Sequence, residues 1–178
     1  AKVIKNKTFL FDDNGRMVTG LVQIEGGTGE FDDKEKIQRH VNRVGGKALI
    51  EGIYYFSTDD GSQEGAMATG KVTVSDEGDK YTYYFDKSGK AYENRLIKGA
   101  IYGDDGKRLE AEYGSKYEVI PLAEQVYNES GKEIEGLEAG TCVIVNSNGS
   151  VKKTATTVDV DGEKWTVKNY VATRKVEE

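Results

Sequence analysis

A chain of 178 residues with 22 glycines, 11 tyrosines and a single proline suits short strands and tight turns better than packed helices and favours an all-β protein. Its net charge of −6, with lysines and acids interspersed, leaves no basic stripe to follow a phosphate backbone, which argues against a nucleic-acid partner. No apolar run approaches the ~20 residues that span a bilayer, so membrane insertion is not expected, and the start AKVIKNKTFLF lacks a hydrophobic signal core, placing any secretion signal upstream.

In chain order, the predicted strands are TFLF at 8–11, GIYYF at 52–56, YTYYF at 81–85, GAIY at 99–102, AEQVY at 123–127 and CVIV at 142–145. Aromatic and β-branched residues dominate them, as pleated, half-buried surfaces require. Each ends on a large apolar anchor followed by a glycine-containing turn. The copies are FDDNG at 11–15, FDKSG at 85–89, YGDDG at 102–106, YNESG at 127–131 and VNSNG at 145–149, with a sixth, FSTDDG at 56–61, one residue longer. Asp, Asn and Ser beside a glycine that tolerates positive φ are hairpin chemistry. Beyond several turns the chain runs from glycine to glycine around one apolar residue: Gly15 to Gly20 around Met17, Gly65 to Gly70 around Met67, and Gly131 to Gly136 around Ile134. That residue reads as a plug for a small core.

Between the first and second anchors lies an insertion over 26–46. Within it DDKEKIQRHVNRVGG carries an Asp32 cap with Glu35 three residues on and Ile37, Val41 and Val44 at helical spacing, which predicts a short helix. The end of the chain, 154–178, alternates well and predicts a closing hairpin whose turn includes Asp161 and Gly162. Because a lone hairpin is only marginally stable in water, the units are expected to stack on one another. The fold class is therefore all-β, a β-solenoid-like array of hairpins with one inserted helix. The array forms a single domain with units near 1–26, 47–80, 81–99, 100–122, 123–140 and 141–178.

Tyr-Tyr-Phe, a turn, and then Gly-x-Met-x-Thr-Gly, clearest over 53–89 and again over 8–22, resembles the cell-wall-binding repeat family. That family includes the choline-binding modules of pneumococcal surface proteins, the glucan-binding repeats of streptococcal glucosyltransferases and the C-terminal repeats of large clostridial toxins. The resemblance covers about half the chain and weakens after about Ala100. It implies hairpins wound into a solenoid, secretion to the bacterial surface, and attachment to cell-wall polysaccharide or teichoic acid without catalysis. The chain is a divergent member on this reading. Where the family places cage tryptophans after Thr-Gly, it has Leu21 and Lys71, and before Tyr-Tyr it has Thr8, Ile53 and Thr82. Only Trp165 sits in a comparable context, so choline recognition by an aromatic cage is not expected.

The candidate ligand-binding aromatics are Tyr54, Tyr55, Tyr83, Tyr84, Tyr102 and Trp165. Successive strand residues point to opposite faces, so each Tyr-Tyr pair gives one ring to the core and the other to the outside, where it can stack on a sugar. A pure spacer without a ligand site and a protein-adhesion element working through 26–46 are the competing readings. No cofactor or metal is expected. The acidic turns around Asp12, Asp59 and Asp104 lack full calcium-loop spacing, His40 has no second histidine to work with, and Cys142 lies between apolar neighbours. No nucleophile elbow, zinc-helix motif or phosphate loop occurs, so the chain is read as not an enzyme.

Overall fold

Five anchors close turns of one design. In the computed structural model, which describes residues 1–12, 14–25, 38–41, 49–59, 64–76 and 78–176, each of Phe11, Phe85, Tyr102, Tyr127 and Val145 forms an antiparallel bridge to the residue six positions on. The amide after the anchor donates to the carbonyl four residues further, as from Asp12 to Arg16 at 2.9 Å and from Asn146 to Ser150 at 3.1 Å. The turn glycine donates back to the residue after the anchor, as Gly89 does to Asp86 at 3.0 Å. An Asp or Asn oxygen directly after the anchor completes four of these turns, and Asp105 serves the turn after Tyr102. Oδ1 of Asp86, for example, accepts from the amides of Ser88 at 2.8 Å and Lys90 at 3.1 Å. The short Asp and Asn side chains thus satisfy their own turn's N–H groups.

The longer turn after Phe56, second of the six in chain order, differs from its predicted form. Phe56 bridges Met67, eleven residues on, and the glycine that donates back to Ser57 is Gly65 rather than Gly61, which lies outside the described residues. A longer excursion is thus inserted before the same closing geometry. Met67 packs against the core of Leu10, Val22 and Phe56, and Ile134 against that of Ile101 and Val126, as expected of a plug. Met17, at the same bridge position as Met67, is instead 39% exposed, and the next residue, Val18, is buried. Glu133 holds that bridge position in the fifth turn, so Ile134 matches Val18 rather than Met17. Alternation across the bridge turns the following residue inward.

The chain divides into two compact units, Ala1–Ala91 and Tyr92–Glu178. The first contains the hairpin of β1 (Lys2–Ile4) and β2 (Lys7–Phe9), then β3 (Gly20–Glu25), β4 (Gln38–Val41) and β5 (Gly52–Phe56) in the order β4-β3-β5, and the hairpin of β6 (Gly70–Asp76) and β7 (Asp79–Phe85). β4 pairs parallel to β3. This corrects the helix expected in the insertion. The four described residues of that segment are extended, and the rest of the predicted helix lies outside the described residues. A helix of one or two turns is marginal alone, and the N–H and C=O groups along β3 offer a better partner.

Backbone bonds tie successive turns together. Met67 donates to Thr8 O at 2.9 Å and Ala91 to Ile53 O at 2.8 Å. β5 has both faces covered, with Tyr54 and Phe56 packing with Val22, Ile24 and Leu10 on one side and Ile53 packing with Tyr83 and Phe85 on the other. That explains a strand buried at four of its five positions.

In the second unit β8 (Arg95–Ile97) and β9 (Ala100–Tyr102) form a hairpin, and after β10 (Tyr117–Pro121) the two-residue β11 (Tyr127–Asn128) pairs parallel to β8. The strand expected over 123–127 is therefore cut to its last residue, because Gln125 spends its side-chain amide on the carbonyls of Val126 and Ile134 in a looped segment. β12 (Cys142–Asn146), β13 (Ala155–Val160), β14 (Glu163–Lys168) and β15 (Val171–Arg174) join β10 in a five-stranded sheet of order β10-β12-β15-β14-β13. The sheet curls until its edge strands β10 and β13 meet. β12 is its doubly covered strand, sending Val143 and Val145 into one core with Ile101, Val126 and Leu137, and Ile144 into another with Val158, Val160 and Val167.

The predicted closing hairpin is present, with Asp161 and Gly162 at φ 52° and 84° joining β13 to β14. Positive φ at both central residues matches the right-handed twist of the flanking strands. The next turn repeats the geometry at Asn169 and Tyr170, φ 48° and 70°. No helix long and apolar enough to cross a membrane occurs among the described residues.

Candidate functional site

The strand alternation sorts the six candidate rings. Tyr54, Tyr83 and Tyr102 are at most 2% exposed and serve packing, whereas Tyr55, Tyr84 and Trp165 are half-buried and keep part of a face outside. Tyr54 lies among Val22, Ile24 and Phe56, and its hydroxyl donates to Ile50 O at 2.7 Å. Burial, and secondarily the Asp86 carboxylate, raise the pKa of its phenol.

Phe85 brings two candidates together. Its ring centroid lies 6.5 Å from that of Tyr55 and 6.0 Å from that of Tyr83, at interplanar angles of 26° and 24°. Tyr55 is the outer member of this group, and its hydroxyl shares a hydrogen bond of 3.2 Å with Thr58 Oγ1. Offset aromatic packing of this kind fixes a ring's orientation before any ligand arrives. Tyr84 belongs to the opposite face of β7. There it stands in register with Lys71, next to the Thr73 and Thr82 pair whose hydroxyls lie 3.0 Å apart. The structure thus gathers Tyr55 and Tyr83 around Phe85 and holds Tyr54 and Tyr84 away from them.

In the second unit Tyr102 is buried on β9, and Trp165 packs beside the core of Val158 and Val167. The Trp165 indole N–H is buried and finds no acceptor among the described residues. A shallow polar depression of about 510 Å³ is lined by Glu163, Lys164, Arg174 and Lys175, with Glu163 and Arg174 paired at 3.0 Å. It takes in none of the six rings.

Several contacts lay beyond sequence reasoning. Arg95 stands over the rings of Tyr92 and Tyr127, and Lys116 and Lys152 over that of Tyr117. For Tyr92 alone a local signal existed: it directly follows the bridge residue Ala91, and strand alternation turns it away from that neighbour. Among the described residues no three His, Cys, Asp or Glu side chains gather to hold a metal ion. Oδ1 of Asp12 accepts from the amides of Asn14 and Arg16, and Oδ1 of Asp105 from that of Lys107, so these acids are engaged in turn chemistry.

No protein-family model matches the chain, and no curated protein does. Among solved structures it is similar to the modular autolysin LytC from Streptococcus pneumoniae in complex with a synthetic peptidoglycan ligand, at 14% identity and a TM-score of 0.40, over 94% of this chain and 33% of that one. It is also similar to CbpF in complex with ipratropium, at 17% identity and a TM-score of 0.30, over 96% of this chain and 85% of that one. CbpJ from Streptococcus pneumoniae TIGR4 is similar at 15% identity and a TM-score of 0.18, over 96% and 86%. The chain spans about a third of the length of the autolysin.

Proposed function

We propose that the chain is a non-catalytic module of the bacterial cell surface, a divergent cell-wall-binding repeat that docks on cell-wall polysaccharide or teichoic acid. Half-buried tyrosines held by the hairpin scaffold would provide the contact. The observation that carries this reading is Tyr55: a ring fixed by Phe85, partly exposed, and edged by a hydroxyl pair with Thr58. A rigid ring with a polar rim suits the apolar face and hydroxyls of a sugar, and it loses little entropy on binding. Tyr84 beside Lys71 offers a second, independent platform with a cation suited to phosphate or carboxylate groups. Each contact is small, so useful affinity requires several acting together.

The test is co-sedimentation of the purified chain with peptidoglycan and with teichoic acid. Retention is expected for the native protein and at least a tenfold loss for Tyr55→Ala combined with Tyr84→Ala, with the circular dichroism unchanged. If the native chain stays in the supernatant with both polymers, this reading is wrong. The second reading, a spacer or adhesion element, is favoured by the burial of Tyr54, Tyr83 and Tyr102, and it predicts that supernatant result. Adhesion through 26–46 would then appear as loss of partner capture when that segment alone is replaced.

A further inference from the structure

The turn glycines share a second feature besides positive φ: a neighbouring side chain lies across most of them. A Cβ at Gly65 would fall 2.3 Å from Met17 Sδ, at Gly89 2.4 Å from Met67 Sδ, and at Gly149 2.4 Å from Arg108 Nε. In the fifth turn the covering side chain is Arg95, with Nη1 3.2 Å from a Cβ at Gly131. It differs from the others in what surrounds its charge. Its Cζ is 5.9 Å from the centroid of Tyr92 and 5.6 Å from that of Tyr127, and Nη1 donates to Asn128 O at 3.3 Å. Arg95, Tyr92 and Tyr127 are all half-buried.

Two ring faces and one carbonyl converging on a partly desolvated point supply what a planar organic cation needs: quadrupole attraction from the rings, a flat stacking surface and one directed acceptor. We infer that Tyr92, Tyr127 and the Asn128 carbonyl form a receptor for a guanidinium-type cation, and that Arg95 fills it from within the same chain. β-Pairing explains the placement. Arg95 and Tyr127 are register partners in the parallel β8–β11 pair, and the Tyr127 amide donates to Asn94 O at 2.8 Å. With only two register pairs joining β11 to β8, the half-buried cation acts as the strut that seats the fifth turn. The site is closed to cations from solution while Arg95 occupies it and opens when that side chain leaves. This inference is independent of glycan binding.

Two measurements on the full chain test it. In proton NMR, the Arg95 side-chain resonances are expected upfield of those of the other arginines through the ring currents of two tyrosines, and to move towards ordinary positions in Tyr92→Leu and in Tyr127→Leu. In titration with methylguanidinium, Arg95→Ala is expected to show saturable perturbation of Tyr127 at concentrations at least tenfold below any response of the native chain. Neutral urea, of similar planar shape, should produce none. Unshifted Arg95 resonances in the native protein overturn the inference, even if Arg95→Ala fails to fold. A folded Arg95→Ala without a saturable response, a native chain that responds equally, or a urea response of equal size also overturns it.

Discussion

The two units use one turn skeleton with different side-chain chemistry at its seams. In Ala1–Ala91 the seams are thioether on glycine, and the second core is aromatic, built on Tyr83, Phe85 and the partly buried Tyr55 and Tyr81. In Tyr92–Glu178 they are arginine on glycine, and the cores are aliphatic, centred on Val143, Val145 and Ile144, with cations set over half-buried rings. The backbone pattern of the turns, anchor to bridge and glycine back to its start, is the same in both. Backbone hydrogen bonding and positive φ therefore define the repeat. A methionine lies across the turn glycine at two turns and an arginine at two others, whereas nothing lies across Gly15, so the covering side chain varies where the backbone pattern does not.

This contrast can be broken at several points. The largest effect is expected for Phe85→Ala, which removes the ring shared by Tyr55 and Tyr83, at a cost of about 3–5 kcal/mol in urea denaturation. Hydrogen exchange should locate the loss in the first unit. A uniform loss across both units would show that the aromatic core is not local to one of them.

Next comes glycine. Gly89→Ala combines left-handed strain of about 1–2 kcal/mol with overpacking against Met67 of about 1–3 kcal/mol. At Gly131, where the neighbour is the far end of Arg95 at 3.2 Å, only the strain is expected. Adding Met67→Ala to Gly89→Ala should recover the overpacking share, and failure to recover any would remove the seam from the account.

Smaller effects are expected at the turn acceptors, which should be equal in the two units. Asp86→Ala and Asn146→Ala each strand two amide donors and should cost about 1 kcal/mol, while Asp86→Asn should cost little. An unequal pair would mean that the turns are not equivalent.

The smallest effect depends on pH. The Tyr54 phenol is held neutral above its ordinary value near 10, so the unfolded chain ionises first. Its contribution is intact below pH about 10 and is lost as pH rises through the folded value. Tyr54→Phe should flatten the alkaline limb of the stability curve while losing about 1 kcal/mol at neutral pH for the bond to Ile50. An unchanged alkaline limb would assign the pH dependence to another group.

Much of the local geometry was legible in the chain because it is chemically local. An Asp or Asn after a large apolar residue, followed by glycine, carries its own acceptors and its own permissive φ, so the anchors Phe11, Phe85, Tyr127 and Val145 could be read directly, and Tyr102 from Asp105 and Gly106 later in its turn. The turn at Asp161 and Gly162 was legible for the same reason. The 56–67 turn was misread because its first glycine mimicked the regular spacing, while closure depends on Gly65 meeting Ser57 across an insertion. Of the candidate site, the sequence supplied the alternation that buries Tyr54 and Tyr83 and leaves Tyr55 and Tyr84 partly outside. It could not show that Tyr102 would also be buried, or that Trp165 would lie against a curled sheet.

The sequence by itself determined the all-β class, the turn chemistry and the strand faces, since each depends on residues within about six positions of one another. Only the tertiary structure decided which strands pair in parallel, which edges of the five-stranded sheet meet, and which cation stands over which ring. Several of those outcomes bring together residues far apart in the chain, such as Arg95 and Asn128. Their free energy comes from desolvation and stacking, which arise only after the chain has closed the loop between them.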